Sequence, residues 1–286
     1  MDWSERRQRF RAVLEGGRCV NPASVFDAIS ARIAEDLGFE IGMFAGSVAS
    51  LAVLGAPDLI VLTLTEFAEQ AYRICRAGNL ALLVDADHGY GNALNVMRTV
   101  EELETAGVSA LSIEDTALPA AFGAPDKPRL LPIEEGMGKM RAALKARQDK
   151  RLVIVGRTSA ASITGIDDTV ARAKAYEACG VDALFFVGLK TRAQLEAIAA
   201  AVKLPIVLGG IGAELDDNNY LAAQRVRVCL QGHLPVMAAI RAVHDTLKAM
   251  RDGRKPKEIG GGASEALLQQ VTRDKDYKAW IKEFLS

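Results

Sequence analysis

Cysteine is sparse in this 286-residue sequence and never occurs in a closely spaced pair. The four cysteines, Cys19, Cys75, Cys179 and Cys229, are scattered along the chain and form no CxxC motif. This distribution argues against both a zinc site and a disulfide framework. It is typical of proteins in the reducing cytoplasm, which is where we expect this one to be located.

Excess charge and long apolar stretches are missing as well. The 35 lysines and arginines nearly balance the 36 acidic residues, so the formal net charge is −1. No basic run or basic amphipathic helix argues for a membrane surface, and the near-zero charge gives no electrostatic footprint for nucleic acid. We therefore expect neither partner. No apolar stretch approaches the length of a membrane span, and the first residues lack the apolar segment of a secretion signal.

The sequence does contain a regular alternation of short apolar runs and helical segments. We count eight strand-like runs, each followed by a helix or helix-like segment. Strands that alternate with helices indicate a parallel sheet, and eight such units in this length favour a closed (β/α)8 barrel of the TIM type. No GxGxxG motif follows the first strand and no P-loop motif is present, so an open dinucleotide- or nucleotide-binding sheet is not supported.

The two ends of the chain differ from this repeat. Ser4–Glu15 has the pattern of an arginine-rich amphipathic helix. Beyond the barrel, a charged linker rich in proline and glycine leads to two short amphipathic segments, Glu265–Val271 and Tyr277–Phe284. Because such short helices are unstable alone, we expect them to pack on this barrel or on a neighbouring subunit. The predicted organisation is a barrel domain with its N-terminal helix over 1–252, then a linker and short helical tail over 253–286.

The most informative stretch is Val84–Asn92, with the sequence VDADHGYGN, at the end of the third apolar run. Asp85 and Asp87 stand two residues apart, and in an extended strand both side chains would point the same way. The carboxyl ends of all strands lie at one face of a barrel, where enzymes of this fold carry out their chemistry. Other polar residues at predicted strand ends are Ser47, Glu114, Asp115, Arg157 and His233.

The residue types in this set suit one kind of ligand. Asp85, Asp87 and Glu114 offer the hard oxygen ligands that Mg²⁺ or Mn²⁺ prefers. Arg157 has a planar fork that fits a carboxylate, and His233 is able to protonate or hydrogen-bond a developing enolate. Backbone amides near the strand-two end add donors for an oxyanion. Together these groups predict a site for a small α-keto dicarboxylate.

Each of these residues also has a purely structural interpretation. The aspartates after the third strand could cap the next helix, and the acids after the fourth could pair with Arg157 across the barrel mouth. His233 could simply begin a helix, and Ser47 could be an ordinary loop hydroxyl. His88 could orient a neighbouring aspartate.

Three strings resemble the isocitrate lyase and phosphoenolpyruvate mutase superfamily. They are GSVAS at Gly46–Ser50, DADHGYGN at Asp85–Asn92 and SIEDTALP at Ser112–Pro119. The resemblance covers about residues 10–250. It implies an α/β barrel whose eighth helix is swapped between the subunits of a dimer or a tetramer.

The same resemblance assigns roles within the acidic group. It implies that Asp85 binds Mg²⁺ directly, that Asp87 and Glu114 reach the metal through water, and that the bound ion stabilises an enolate. Asp58 is implied as a further catalytic member of the group. Ser47, Arg157 and His233 are implied as substrate-binding residues, the last two also with catalytic roles.

The loop after the fourth strand narrows the choice within the superfamily. Its C–C lyases carry a KKCGH loop whose cysteine is the catalytic acid, whereas Leu118–Leu131 here reads LPAAFGAPDKPRLL, without cysteine or histidine. Ala120–Ala124 also lacks the polar groups of the phosphonate-forming mutases. The chain therefore most resembles the oxaloacetate decarboxylase branch. Two departures are Ser159, where that branch usually has asparagine, and the glycine-rich stretch Gly209–Leu215.

This branch implies a specific reaction. The expected enzyme is a lyase that decarboxylates oxaloacetate to pyruvate and CO₂ through a metal-stabilised enolate, with Mg²⁺ or, alternatively, Mn²⁺ as cofactor. One alternative is a C–C lyase for a substituted malate or a methylisocitrate-like substrate. Another is a hydrolase of phosphonopyruvate or an acylpyruvate. A third is a barrel that binds a keto acid for regulation without turnover.

Overall fold

The (β/α)8 barrel predicted from the sequence is confirmed. The computed structural model describes residues 2–123 and 127–286. Its eight parallel strands lie side by side in chain order, so each strand pairs with the one before it. The strands are β1 Ala23–Ser24, β2 Ile41–Phe44, β3 Ala81–Asp85, β4 Ala110–Glu114, β5 Val153–Thr158, β6 Ala183–Val187, β7 Ile206–Gly209 and β8 Val226–Cys229.

The ring is closed by the chain segment just before β1. Val20 forms a parallel bridge with Val228 of β8, and the Cys229 amide donates to the Val20 carbonyl at 2.9 Å. The sequence pattern predicts one short strand near residues 19–25, but the structure divides it into this bridge and the two-residue β1. Pro22 lies between the two parts, where it has no amide hydrogen to offer a neighbouring strand.

Helices surround the strands, and side-chain caps define where several of them begin. Asp27, Thr63, Asn92 and Thr191 each accept a hydrogen bond from the amide three residues ahead. The α-helices of the described chain are α1 Ser4–Glu15, α2 Ala28–Asp36, α3 Gly46–Ala49, α4 Leu64–Cys75, α5 Ala93–Ala106, α6 Ile133–Ala146, α7 Ala160–Ile163, α8 Ile166–Cys179, α9 Arg192–Ala201, α10 Asn218–Ala223, α11 Leu234–Arg251, α12 Glu265–Thr272 and α13 Asp274–Phe284. A π-helical turn, Ser50–Leu54, follows α3.

The core lies inside the barrel and between the barrel and its helices. Every residue of β3 and β4 is buried, as expected for parallel strands covered on both faces. Phe44 of β2 stacks on Phe67 of α4 with ring centroids 5.0 Å apart. A fully buried leucine such as Leu82 or Leu111 contributes about 2 kcal/mol. The strand positions, and thus the site they carry, are held by this packing.

Helix α1 covers the amino ends of the strands through its arginines. Arg6 donates to the carbonyls of Cys75 and Gly78 at 2.5 and 2.6 Å. Arg7 donates to the Val108 carbonyl at 3.1 Å, and both arginine side chains are buried. Cys75 ends α4, and Gly78 and Val108 lie in the loops that lead into β3 and β4. The helix predicted over Ser4–Glu15 is confirmed, while the burial of its arginines is not apparent from the sequence pattern.

The last helices differ in how they contact the barrel. Helix α12 packs on α2, where Arg273 pairs with Asp36 at 2.7 Å and Arg32 donates to the Val271 carbonyl at 3.1 Å. Helix α11 is mostly exposed, apolar residues included: Leu234, Met237, Ile240, Val243, Leu247 and Met250. Across residues 2–123 and 127–286, no helix is both long enough and apolar enough to cross a membrane.

Candidate active site

A cavity of about 370 Å³ opens at the carboxyl ends of the strands. Part of its wall is apolar and includes Leu118, Ala120, Phe185, Val187 and Leu230. Its polar lining contains seven of the residues singled out from the sequence: Ser47, Asp58, Asp85, Asp87, Glu114, Arg157 and His233. The barrel thus brings together side chains from β3, β4 and β5 and from the loops after β2 and β8.

Asp85 is the last residue of β3 and lies at the centre of the polar contacts. Its Oδ1 accepts from the Ser112 hydroxyl at 3.1 Å and from the Asp87 amide at 3.2 Å. Its Oδ2 pairs with Nη1 of Arg157. Only 8% of the residue is exposed. The carboxylate is therefore fixed in position by three different segments of the chain.

Asp87 faces the same cavity for a different reason from the one the sequence suggests. Strand β3 ends at Asp85, so strand alternation does not orient Asp87, whose φ of 47° is left-handed. Gly46 packs against its carboxylate so closely that a Cβ there would lie 2.5 Å from Oδ1. Burial, and then the charges of Asp85 and Glu114, raise the pKa of Asp87 well above its usual range.

Glu114 and Arg157 form the opposite side of the polar cluster. Glu114 ends β4, and Arg157 lies inside β5 instead of after it. Nε of Arg157 is 3.1 Å from Oε2 of Glu114, close enough for an ion pair but not aligned for a hydrogen bond. Burial raises the pKa of Glu114, and Arg157 partly opposes that effect. Burial alone would lower the pKa of Arg157, but Asp85 and Glu114 outweigh it and raise that pKa.

Asp115 points away from the cavity and has a structural environment. Its Oδ2 accepts from the Tyr176 hydroxyl at 2.6 Å and from Nη1 of Arg172 at 2.9 Å. The predicted ion pair with Arg157 is therefore found for Glu114 but is wrong for Asp115. Glu114 pairs with Arg157, whereas Asp115 pairs with Arg172 behind the strand.

His233, Asp58 and Ser47 complete the polar lining. His233 is the residue before α11, and its Nδ1 lies 2.9 Å from the Ser24 hydroxyl on β1. Burial lowers the pKa of His233, although Asp85 and Asp58 oppose this. Desolvation, and then the charge of Asp85, raise the pKa of Asp58. Ser47 is the second residue of the short helix α3, so it lies in a helical turn and not in an extended loop.

His88 does not orient an aspartate, contrary to one interpretation of the sequence. Its side chain is 4% exposed, and within the described chain its Nδ1 has no hydrogen-bond partner. Burial, and then the nearby Lys139, lower the pKa of His88 to about 4. Lys139 donates to the His88 carbonyl at 2.7 Å. The lysine thereby holds the turn that carries Asp85 and Asp87, a contact that the sequence did not reveal.

The charges of the cavity are unbalanced in favour of a cation. Asp58, Asp85, Asp87 and Glu114 face a single guanidinium, that of Arg157. Their oxygen donors suit a hard divalent ion, so the residues present fit such a group. In residues 2–123 and 127–286, however, no three His, Cys, Asp or Glu side chains already form a ligand cluster. The reason is visible in the contacts, since Arg157 occupies the space between two of the acids.

The loop that follows β4 is described in part. Leu118 and Ala120 reach the cavity and add apolar surface to its rim. Residues 124–126 lie outside the described residues, so the last residue of the stretch Ala120–Ala124, compared above with the mutases, is among them.

Sequence reasoning missed three residues of the site. Ser24 ends β1 and would have been found by applying the strand-end rule to the first strand as well. Ser112 points to Asp85 from two residues before the end of β4, which strand alternation from Glu114 would have indicated. Gly46 is needed for close packing against Asp87, and no local sequence pattern predicts that contact.

The fold and the site together define a (β/α)8 barrel with an acidic pocket at the carboxyl ends of its strands. A family model described as phosphoenolpyruvate phosphomutase matches residues 10–251. The chain belongs to this family.

Similar proteins cover almost the whole chain. An oxaloacetate decarboxylase of Bradyrhizobium diazoefficiens is 62% identical over 279 residues, 98% of this chain and 96% of the relative. An oxaloacetate decarboxylase of Rhodopseudomonas palustris is 63% identical over 273 residues, 96% of this chain and 94% of the relative. A solved phosphonopyruvate hydrolase in complex with oxalate and Mg²⁺ has a TM-score of 0.85 at 29% identity, covering 98% of this chain and 99% of that one.

Proposed function

We propose that this protein is a lyase that decarboxylates oxaloacetate to pyruvate and CO₂. The observation that carries the proposal is the cavity itself, in which four carboxylates, one arginine and one histidine face an apolar rim. The names of relatives that are 62% and 63% identical over nearly the full chain support the same reaction. The absence of cysteine and histidine from Leu118–Leu131 argues against the C–C lyases.

We propose Mg²⁺, with Mn²⁺ as an alternative, held by Asp85, Asp87 and Glu114. When bound, a divalent cation supplies electrophilic stabilisation to the keto oxygen and the charge that develops there. Arg157 forms ion pairs with both Asp85 and Glu114. A cation that binds to either carboxylate therefore has to replace part of that ion pair. The Mg²⁺ in the similar phosphonopyruvate hydrolase supports the choice of ion.

The protein residues then have separable roles. Arg157 binds the carboxylate next to the keto group, for which a planar fork is well suited. The bond between C3 and the C4 carboxylate breaks, CO₂ leaves, and the electron pair becomes the pyruvate enolate. His233 donates to the enolate oxygen, and the amides around Ser47 are placed as further donors. A proton taken up at C3, from water in this proposal, completes pyruvate.

The apolar rim helps the bond to break. Leu118, Ala120 and Phe185 offer no charge to a second carboxylate. A carboxylate placed against them loses hydration without gaining an ion pair, and its loss as neutral CO₂ relieves that cost. The cavity is therefore suited to a dicarboxylate that loses one of its carboxylates as neutral CO₂.

The reaction is tested by a product assay with a matched control. The purified protein is incubated with Mg²⁺ and a panel of α-keto acids and malates, and CO₂, pyruvate, oxalate and phosphate are measured. Because metal ions in solution also decarboxylate oxaloacetate, the control is the Asp85→Ala protein at the same Mg²⁺ concentration. Equal amounts of CO₂ and pyruvate above that control are expected. Oxalate from oxaloacetate, or phosphate from phosphonopyruvate, would instead show a hydrolase, and saturable binding without products would show a regulatory barrel.

We also propose that the protein is a dimer or tetramer in which α11 is swapped between subunits. Val236 is the buried residue of this helix, while its other apolar side chains are exposed in the described chain. Light scattering at micromolar concentration should give a dimer or a tetramer, and a monomer would contradict the swap. From the sequence pattern we propose a catalytic barrel over 1–252 and a tail over 253–286. The scattered cysteines and the near-zero net charge support the proposal of a cytoplasmic location without nucleic-acid or membrane partners.

A further inference from the structure

We infer that Ser24 is a positioning residue that fixes the tautomer of His233, with the ring hydrogen on Nε2 facing the cavity. The inference rests on the proposed function, because it says how His233 is prepared to donate to a substrate oxygen. The observation behind it is the 2.9 Å contact between the Ser24 hydroxyl and Nδ1 of His233. This contact joins the first strand of the barrel to the loop that follows the last strand.

Ser24 is held firmly enough to act in this way. It lies on β1 opposite Met43 of β2, and the Val25 amide donates to the Met43 carbonyl at 2.9 Å. Ser24 is 7% exposed, so the residue is largely shielded from solvent. His233 follows Gly232, whose φ of 79° turns the chain out of β8 towards β1. Both partners are thus fixed by the backbone that carries them.

The direction of the hydrogen bond follows from counting donors and acceptors. A hydroxyl has one hydrogen, and a neutral imidazole has one protonated nitrogen and one acceptor nitrogen. Among the hydrogen bonds of the described residues, the Ser24 hydroxyl takes part in none but this one. If Nδ1 were protonated, the buried hydroxyl would accept from it and leave its own hydrogen without an acceptor, which is costly. Donation from Ser24 to Nδ1 avoids that cost.

This direction decides what His233 offers to a ligand. With Nδ1 accepting from Ser24, the hydrogen of the neutral ring must be on Nε2, the nitrogen left for the cavity. A donor there meets a keto or enolate oxygen, whereas a bare nitrogen would repel it. Ser24 does not touch the substrate in this arrangement. Its effect is to keep the histidine in the donor form and in the correct orientation.

Nitrogen spectroscopy tests the tautomer directly. The chain has only three histidines, His88, His233 and His244, so selective ¹⁵N-histidine labelling gives three spin systems. The His233 signals are identified by their loss in His233→Gln. Above the histidine pKa, long-range proton–nitrogen spectra of the Mg²⁺-loaded protein should show Nε2 protonated and Nδ1 bare. Protonated Nδ1 in the wild-type protein would overturn the inference, and this result does not depend on any activity.

Variants of Ser24 test the consequence. Ser24→Ala should give a mixture of His233 tautomers and lower kcat by about threefold to tenfold, the range of one ordinary hydrogen bond, with little change in KM. Ser24→Thr keeps the hydroxyl and should keep both the Nε2 tautomer and most of kcat. The matched control is Ser109→Ala, because Ser109 is also a buried serine, lies at the opposite end of the barrel and has no partner for its hydroxyl in the described chain.

The outcomes separate this inference from the proposed function. If the wild-type protein does not decarboxylate oxaloacetate, the function fails while the nitrogen spectra still test the tautomer. If Ser24→Ala is folded with an unchanged tautomer and an unchanged kcat, Ser24 does not position His233. If Ser24→Ala does not fold, the nitrogen spectra of the wild-type protein and of Ser24→Thr decide whether Ser24 fixes the tautomer of His233. A Thr variant with protonated Nδ1 and unaltered kcat would then contradict the inference.

Discussion

The two ends of the barrel use arginine in opposite ways. At the amino ends of the strands, Arg6, Arg7 and Arg11 donate mainly to backbone carbonyls of the preceding helix ends and of the loops that enter the strands. At the carboxyl ends, Arg157 faces carboxylates that outnumber it. The carbonyls at the amino end are therefore already hydrogen-bonded by the chain itself, whereas the carboxyl end is left with excess negative charge. In barrels of this type the first end serves stability and the second serves chemistry.

This difference shows at which end of the barrel an added cation would be bound favourably. A carbonyl paired with an arginine gains nothing from an added ion. An acid whose pKa is raised by neighbouring acids, as at Asp87, is stabilised in its charged form by an added cation. If this comparison is correct, substitutions at the carboxyl end should change activity and metal response, and substitutions at the amino end should change stability alone.

The largest effect is expected from removing the central carboxylate. Asp85→Ala should lower kcat by about a thousandfold or more, since the electrophilic contribution of a bound metal is several kcal/mol. Chelation of the wild-type enzyme should abolish turnover, and added Mg²⁺ or Mn²⁺ should restore it. Steady-state kinetics and thermal melts measure this, with the surface variant Asp36→Ala as an active control. Full activity in the presence of chelator would show that turnover does not require a metal ion.

The next effect is expected at Arg157. Arg157→Ala should reduce kcat/KM by an amount that corresponds to about 2–5 kcal/mol, mostly through KM, because a charge-assisted carboxylate contact is lost. Arg157→Lys should recover only part of this, since the planar fork is absent. Added Mg²⁺ should raise the melting temperature of Arg157→Ala more than that of the wild type. In the variant, the ion neutralises carboxylates that the guanidinium no longer neutralises. Equal shifts would contradict the charge imbalance.

At the opposite end, Arg7→Ala should affect stability without affecting chemistry. Arg7 donates to the Val108 and Glu104 carbonyls at 3.1 and 2.6 Å and pairs with Asp149 at 2.9 Å. Breaking such a buried set costs about 3 kcal/mol of unfolding free energy. Denaturant titration measures the loss, and kcat below the unfolding transition should equal that of the wild type. A fall in kcat of the folded variant would break the division between the two ends.

A smaller effect is expected at His233. His233→Ala should lower kcat by about a hundredfold, as for a donor that acts mainly in the transition state. KM should change by no more than about twofold, because ground-state binding is left to Arg157 and the metal. Initial rates over a range of oxaloacetate concentrations separate the two constants. A large rise in KM with constant kcat would instead make His233 a simple binding residue.

The smallest effect concerns acid stability at the amino end. Burial alone would raise the pKa of Asp149, but hydrogen bonds from Arg151 and Arg7 outweigh it and lower that pKa to about 2. The native state therefore holds the charged form, and the stabilisation is present above the unfolded value of 3.8. It is lost as the pH falls from there towards about 2. Asp149→Asn should flatten the stability profile in that window, and an unaltered profile would exclude the contribution.

The overall barrel could be predicted because it follows from a repeated local pattern. Eight apolar runs separated by helical segments leave few arrangements open, and the structure has the predicted eight strands in chain order. The main polar residues of the site could be located for the same reason. Strand ends of a parallel barrel converge on one face, so Asp85, Glu114, Arg157 and His233 meet there.

Contacts that depend on long-range geometry could not be predicted. The turn that orients Asp87 has left-handed backbone at that residue, and only the approach of Gly46 from another strand end shows why the carboxylate lies there. The burial of Arg6 and Arg7 likewise depends on carbonyls that lie about 70 to 100 residues away in the chain. Sequence periodicity carries no information on such distances.

The closing bridge between Val20 and Val228 sets a constraint on synthesis of the chain. Asn21 donates to the Cys229 carbonyl across a separation of 208 residues, so the ring is completed only by the last strand. Until β8 leaves the ribosome, the nascent protein is an open sheet with two exposed edges, at β1 and at β7. Such edges readily pair with other chains. Chaperone demand during translation should therefore peak before residue 226 emerges and fall once the final strand has joined its two neighbours.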